Sequence, residues 1–208
     1  MDTVILSTAY FPPVEYFVHI LETKSIIIDT YETYKKQTYR NRCSIYTEKG
    51  LMNLSIPVAK PFGNHSKTRD ITILKMEKWK SNHWKSISNA YQASPFFLYY
   101  GSELKEVFYQ DFTYLYQLND ALLRLILNML EIDAGIKYST YFIQPDELAN
   151  DFRFTISPKA ASRLKLKSYV QVFSDRHGFI SNLSILDLIF NLGPEARMYL
   201  KRRPSYSG

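Results

Sequence analysis

VILSTAYFPPVEYFVHIL, residues Val4 to Leu21, changes hydrophobic period midway, and the rest of the chain is read outward from it. Val4, Ile5 and Leu6 form an apolar run of strand length, whereas Val14, Phe17, Val18 and Leu21 recur at helical spacing. Between them, Ser7-Thr8-Ala9-Tyr10-Phe11-Pro12-Pro13 carries two prolines. They stop the strand, and the second suits a first helical turn, where its missing N–H costs nothing. A strand feeding a helix through a tight loop is half of a βαβ unit. In open α/β sheets ligands gather at the carboxyl ends of strands, beside helix N-termini. That rule puts Ser7, Thr8 and Tyr10 in a candidate position, although the same residues equally fit a proline-rich turn packing aromatics into the core. No glycine-rich phosphate fingerprint follows the strand.

Downstream, Ser25 to Thr30 reads as a β-branched central strand parallel to the first, and Tyr31 to Arg42 as a polar, aromatic functional loop. Cys43 to Thr47 and Met52 to Val58 read as strands of a hairpin turned at Glu48-Lys49-Gly50, and Ile71 to Leu74 as another strand. Helical periods run from Lys78 to Ser94, Phe96 to Tyr109 and Tyr114 to Leu130, the last with Leu118, Leu122, Leu125 and Met129 as its inward stripe. Lys137 to Ile143 and Tyr169 to Phe173 predict strands, and Ser174 to Ser181 a polar loop. Pro145-Asp146-Glu147 and Ser157-Pro158-Lys159 predict helix starts. Leu183 to Leu192 predicts an apolar helix stopped by Gly193-Pro194, with a last helix beginning at Pro194. The pattern predicts a single α/β domain over residues 1–208, with a mostly parallel sheet flanked by helices and the first strand near its centre.

The 208 residues are 46% hydrophobic and 22% charged, the balance of a folded globular chain rather than a disordered one. Lys and Arg exceed Asp and Glu by 26 − 20 = 6, and this mild excess favours an anionic partner such as a nucleotide-sugar or phosphosugar. The basic residues are dispersed apart from Lys165-Leu-Lys167 and Lys201-Arg202-Arg203, which argues against nucleic acid. Seventeen Tyr and thirteen Phe suit pocket walls as well as half-buried strands. The single Cys43 excludes an intramolecular disulfide, and a small buried residue is the expected role for it. The N-terminus lacks a signal-peptide pattern, and the apolar run at Leu122 to Leu130 is shorter than the ~20 residues of a membrane span. The expectation is a cytoplasmic protein. No cofactor is indicated, and no His, Cys or Asp stands at metal-ligand spacing.

Three constellations can carry chemistry. Arg40, Asn41 and Arg42, with Lys35, Lys36 and Tyr39, place two guanidiniums and an amide in one loop, able to grip a phosphate or carboxylate; the alternative is a solvated loop with surface ion pairs. His83 shares a helix face with Trp79 and Tyr91 and can act as general acid or base, or sit in the core with its hydrogen bonds satisfied. Asp187, inside an apolar helix, needs a partner if buried: an arginine of the Arg40 to Arg42 loop or a tyrosine hydroxyl would serve.

Across these stretches the chain resembles the WbqC-like family of bacterial proteins. The resemblance runs in order through Ala9 to Phe17 (AYFPPVEYF), Tyr39 to Arg42 (YRNR), Leu54 to Val58 (LSIPV), Trp79 with His83 and Ile87, Tyr91 to Phe97 (YQASPFF), and Asn182 to Ala196 (NLSILDLIFNLGPEA). It implies a role near O-antigen or capsule synthesis, without a defined reaction. The family pattern implies a site that gathers Tyr10, Pro12, Tyr16, Asn41, Arg42, Trp79, His83, Tyr91, Asn182, Asp187, Asn191, Gly193, Pro194 and Glu195, with Arg40 added from its place in the basic loop. Many members have Gln-Pro where this chain has Ser7-Thr8, Gly where it has Glu15, and a Ser-Gly-Pro-Gly segment that is absent here, so the chain resembles a shorter branch. The reading joins His83, Arg42 and Asp187 into one site of a group-transfer enzyme. In it His83 is the base, Arg40 and Arg42 hold the anion, and Asp187 orients a partner. A non-catalytic binding or assembly protein is the alternative. A third possibility, nucleotidylyl transfer, lacks its H-x-G-H type motif.

Overall fold

The computed structural model describes residues 3–76, 78–145, 150–162, 164–202 and 205–206. In chain order come β1 (Thr3–Ser7), α1 (Val14–Leu21), β2 (Ser25–Asp29), β3 (Arg42–Thr47), β4 (Gly50–Ser55), β5 (Val58–Ala59) and β6 (Thr72–Ile73). There follow α2 (Trp79–Tyr91), α3 (Phe97–Tyr109), α4 (Leu115–Met129), β7 (Gly135–Tyr138), β8 (Leu164–Lys165), α5 (Ser174–His177), α6 (Ile185–Leu192), α7 (Glu195–Lys201) and β9 (Ser205–Tyr206).

Val4, Ile5 and Leu6 are fully buried, so β1 is an interior strand, and burial of such side chains contributes about 1.5–3 kcal/mol each. Pro13 caps α1 in extended conformation, one position before the first helical residue. Phe11 stands at φ +41 between Tyr10 and Pro12, a left-handed backbone tolerated because the buried ring packs on Tyr10 and Phe108. Residues Val14 to Ile20 are all buried, and α1 packs against the chain's last helices, α6 and α7. Backbone bonds tie this loop to the entry of α6: Val14 N–H donates to Leu183 O at 3.0 Å and Ile185 N–H to Pro12 O at 2.8 Å.

The sheet departs from the sequence expectation. Parallel pairing is confined to three strands in the order β1-β2-β7, while β3-β4, β5-β6 and β8-β9 form antiparallel pairs. The fold is thus mixed α/β, and "mostly parallel" overstates it. A parallel neighbour requires a crossover, which α1 supplies between β1 and β2, whereas the two-residue turn joining β3 to β4 imposes antiparallel pairing. In that hairpin Thr47 pairs with Gly50, whose φ of +92 fits a residue without Cβ. The middle strand is β2 rather than β1. The outer edge of β1 instead takes a single parallel bridge from Ile5 to Asp151.

Other differences are local. Tyr169 to Phe173 is irregular rather than a strand because Tyr169 and Gln171 turn inward to a buried carboxylate. The expected loop after it contains the short α5. Ser157-Pro158-Lys159 makes a turn and not a helix, β7 ends at Tyr138, and the expected cap at Asp146-Glu147 lies outside the described residues. Cys43 is buried in β3, as expected, and burial pushes its thiol pKa up. The first-strand loop, α1, the helices α2 to α4 and α6 share one apolar core. Among the described residues no helix is long and apolar enough to cross a membrane.

Candidate functional site at the strand ends

The register of the parallel strands sets polar groups side by side at their carboxyl ends. Ser7 of β1 stands opposite Asp29 of β2, and Ser139 follows directly on β7. Asp29 is wholly buried: its Oδ1 accepts from Ser139 Oγ at 2.8 Å, and its Oδ2 from the Arg153 guanidinium. Arg153 is buried too and also binds Asp151, with Nη2 2.6 Å from Oδ2. Beside this set lies a second ion pair. Arg40 donates from Nε to Glu32 Oε1 at 2.8 Å and from Nη2 to Oε2 at 2.5 Å, and Nη2 also reaches Ser7 Oγ at 2.7 Å. Asn119 of α4 holds the Arg40 backbone, its Nδ2 donating to the carbonyl at 2.8 Å.

Five charged side chains, Asp29, Glu32, Arg40, Asp151 and Arg153, thus meet where the parallel strands end. Desolvating such pairs costs several kcal/mol per ion, and well-packed apolar residues often stabilise a fold as well or better. Burial raises the Glu32 pKa, and Arg40 and the Ser7 hydroxyl only partly offset this. Both Glu32 oxygens are thus held by the Arg40 guanidinium, beside the Ser7 hydroxyl. A recess of about 10 Å³, room for about one water, is lined there by Ser7, Thr8, Tyr16, Tyr39, Arg40 and Arg153.

The sequence-predicted residues fall into separate groups. Tyr16 and Arg40 join the strand-end site, Tyr16 by donating its hydroxyl to Ser7 O at 2.8 Å. Tyr10, Trp79 and His83 form a second group: Tyr10 Oη lies 3.0 Å from His83 Nδ1, and Trp79 packs edge-on against the imidazole. Enclosure lowers the His83 pKa to about 4, against a smaller opposing effect of the Ser55 backbone, so the ring is neutral near pH 7. The third group is Asp187 with Tyr91. Asp187 Oδ2 accepts from Tyr169 Oη at 2.6 Å and Gln171 Nε2 at 2.8 Å, and burial raises its pKa to about 6. Of the two partners the sequence offered Asp187, the tyrosine hydroxyl is the one present. The Tyr91 hydroxyl accepts from Tyr46 N–H at 3.1 Å and interacts with the same carboxylate.

Asn182, at φ +56, accepts from Glu15 N–H at 2.9 Å and donates to Glu15 Oε2 at 2.8 Å, bracing the start of α1. Asn41 donates to Ile56 O at 3.1 Å, Arg42 to Ser55 Oγ at 3.2 Å, and Glu195 is exposed at the first residue of α7. Among the described residues no hydrogen bond, ion pair or ring contact joins His83 to Asp187, or either of them to Arg42. Sequence reasoning passed over Asp29, Glu32, Asp151 and Arg153. Asp29 carried a signal, a lone acid closing the apolar run Ser25-Ile-Ile-Ile-Asp29, whereas nothing local marked Arg153 between Phe152 and Phe154.

Fold and site together define a mixed α/β protein with a buried ionic cluster at the ends of its parallel strands. The chain belongs to the WbqC-like protein family, whose model matches residues 8–167. It is also similar to the uncharacterized protein Rv1507c of Mycobacterium tuberculosis (strain ATCC 25618 / H37Rv), with 29% identity over 223 residues, covering 95% of this chain and 96% of that protein. No solved structure matches the chain. The family match contains the strand-end residues described above except Ser7, which immediately precedes it, while Asp187 and the Asn182 to Ala196 segment lie beyond it.

Proposed function

We propose that this WbqC-like chain is a cytoplasmic group-transfer enzyme acting on a nucleotide-linked or lipid-linked sugar in O-antigen or capsule synthesis, with the reacting centre at the carboxyl ends of β1 and β2. The observation that carries the reading is the convergence of Asp29, Glu32 and Arg40 with the Ser7 and Tyr16 groups at the position where open α/β sheets bind ligands. Carboxylates and hydroxyls there suit the hydroxyl groups of a sugar, and Glu32, with its raised pKa, suits the removal of a proton from an attacking hydroxyl. Arg40 has its donors committed to Glu32, Ser7 and Thr38, so its part is to fix Glu32 rather than to hold a free anion. His83 acts as a positioning residue. It holds Tyr10, whose backbone N–H donates to Tyr39 O at 2.8 Å on the wall of the recess. Asp187 serves likewise, through the bonds of α6 to the proline loop. The continuous buried core, from Val4 in β1 to Leu200 in α7, supports reading the chain as one domain.

The test is incubation of the purified protein with a panel of nucleotide-sugars and sugar acceptors, following products by mass spectrometry and binding by thermal shift. Turnover that falls in Ser7→Ala and Tyr16→Phe, with the melting temperature of the free protein retained, supports the reading. The small, enclosed recess favours a second reading, a binding or assembly protein for glycan intermediates or a partner enzyme. Ligand-induced stabilisation without product formation for any pair would favour that alternative.

A further inference from the structure

Away from the strand-end recess, three segments enclose a cleft of about 600 Å³: the chain leaving β6, the first turn of α2, and the link from α3 to α4. Hydrogen bonds fix the frame on both sides. Ile73 N–H of β6 donates to Thr113 O at 2.9 Å, which ties the strand to that link. Lys80 Nζ of α2 donates to Gln110 O at 2.7 Å and Tyr109 O at 3.2 Å, so its ammonium closes the carboxyl end of α3. The volume falls within the roughly 300–1,000 Å³ of small-molecule sites.

The cleft has two kinds of wall. Trp79, Tyr109 and Phe112 supply aromatic surface, and Leu74 and Met76 add exposed aliphatic surface. Trp79 stands edge-on to His83 at 5.2 Å and to Phe108 at 5.6 Å between ring centroids, contacts that fix its ring. Among the described lining residues, Lys75, Lys78 and Lys80 stand against one acid, Asp111. Lys80 is committed to the two carbonyls and, at 3.4 Å, to Asp111. Lys75 and Lys78 are exposed, and among the described residues neither makes an ion pair. Both border the same cleft as the rings, so one small ligand can meet both walls. Aromatic side chains stack any nucleobase, whatever its identity. Free ammonium groups attract phosphate oxygens. A bare sugar instead needs hydrogen-bonding partners for its hydroxyls, and Ser81 Oγ is already given to Lys78 O at 2.9 Å.

We propose that this cleft is a nucleotide site, with the base against Trp79, Tyr109 and Phe112 and the phosphate on Lys75 and Lys78. It shares no described lining residue with the strand-end recess, so the proposal goes beyond the transfer reading and stands or falls apart from it.

The test is calorimetric titration of the purified protein, at low ionic strength, with adenosine monophosphate, adenosine, ribose phosphate and decyl phosphate. Adenosine monophosphate is expected to bind about tenfold more tightly than adenosine or ribose phosphate, because it alone meets both walls, and to weaken as salt is added. Lys75→Gln with Lys78→Gln is expected to weaken the monophosphate about tenfold and leave adenosine unchanged, with the melting temperature retained because both side chains are exposed. Tyr109→Ala is expected to weaken the monophosphate and adenosine alike. Absence of adenosine monophosphate binding overturns the proposal. So does undiminished affinity in the double lysine variant, which would place the nucleotide elsewhere, the strand-end recess included. Decyl phosphate binding more tightly than the monophosphate would also overturn it and mark the cleft as a groove for an alkyl-chain anion.

Discussion

Replacing Asp187 by Asn separates the charge of this side chain from its shape. The carboxylate is fully buried, Oδ2 already accepts from Tyr169 and Gln171, and burial raises its pKa from an ordinary 3.8 to about 6 despite those bonds. Because the folded value lies above the unfolded one, the folded chain binds the extra proton between these two pH values, and stability falls as pH rises through the window. At about 1.36 kcal/mol per pH unit, the interval from 3.8 to about 6 amounts to about 3 kcal/mol carried as a cost at neutral pH. An Asn can place its oxygen where Oδ2 sits and keep both donors without a charge to desolvate. Urea unfolding of wild type and Asp187→Asn across about pH 4 to 8 should therefore show near-equal stability at the acid end and a gain of up to about 3 kcal/mol for the variant at the alkaline end. Taking the difference between the curves cancels the titration of other groups. A pH-independent difference, or a variant less stable at alkaline pH, would refute the reasoning.

Glu32→Leu leaves Arg40 buried without a counter-ion and should cost about 3–5 kcal/mol in urea unfolding. Glu32→Leu with Arg40→Met should recover most of that loss, and equal losses in the single and double variants would count against the pairing. Gly193 stops α6 at φ +52, and a Cβ there would stand 2.5 Å from the Phe96 ring. Gly193→Ala should accordingly lose about 2–4 kcal/mol, seen as a lowered melting temperature. His19 is buried, stacks on Phe152 at 3.7 Å, and has its pKa lowered by burial to about 4, so the unfolded chain takes the proton first as pH falls below about 6.5. His19→Phe should therefore be about 2 kcal/mol more favourable near pH 5 than at neutral pH; parallel unfolding curves at the two pH values would show that His19 does not titrate on unfolding.

Much of the framework could be read from period alone. The switch after Leu6, the helices α2 to α4 and the stop at Gly193 are local properties of spacing, proline and glycine, and they stand where the sequence puts them. Strand partnership could not be read so, because Cys43 to Thr47 has the same β-branched and aromatic character whether its neighbour runs parallel or antiparallel. The site divides in the same way. Residue types marked Arg40, Tyr16, His83 and Asp187 as worth following, but a histidine on an aromatic face does not reveal what lies opposite it.

By itself the sequence determined an α/β chain opening with a strand, a proline loop and a helix, the polar residues at that strand's end, and the family resemblance. Only the tertiary structure decided which charges share a space. It put Asp29 against Arg153, 124 residues apart, turned Arg40 inward onto Glu32, and gave Asp187 a tyrosine instead of an arginine. The physical reason is that a buried charge must be matched where it stands, and the matching group comes from whichever segment the packing of sheet and helices brings within hydrogen-bond reach.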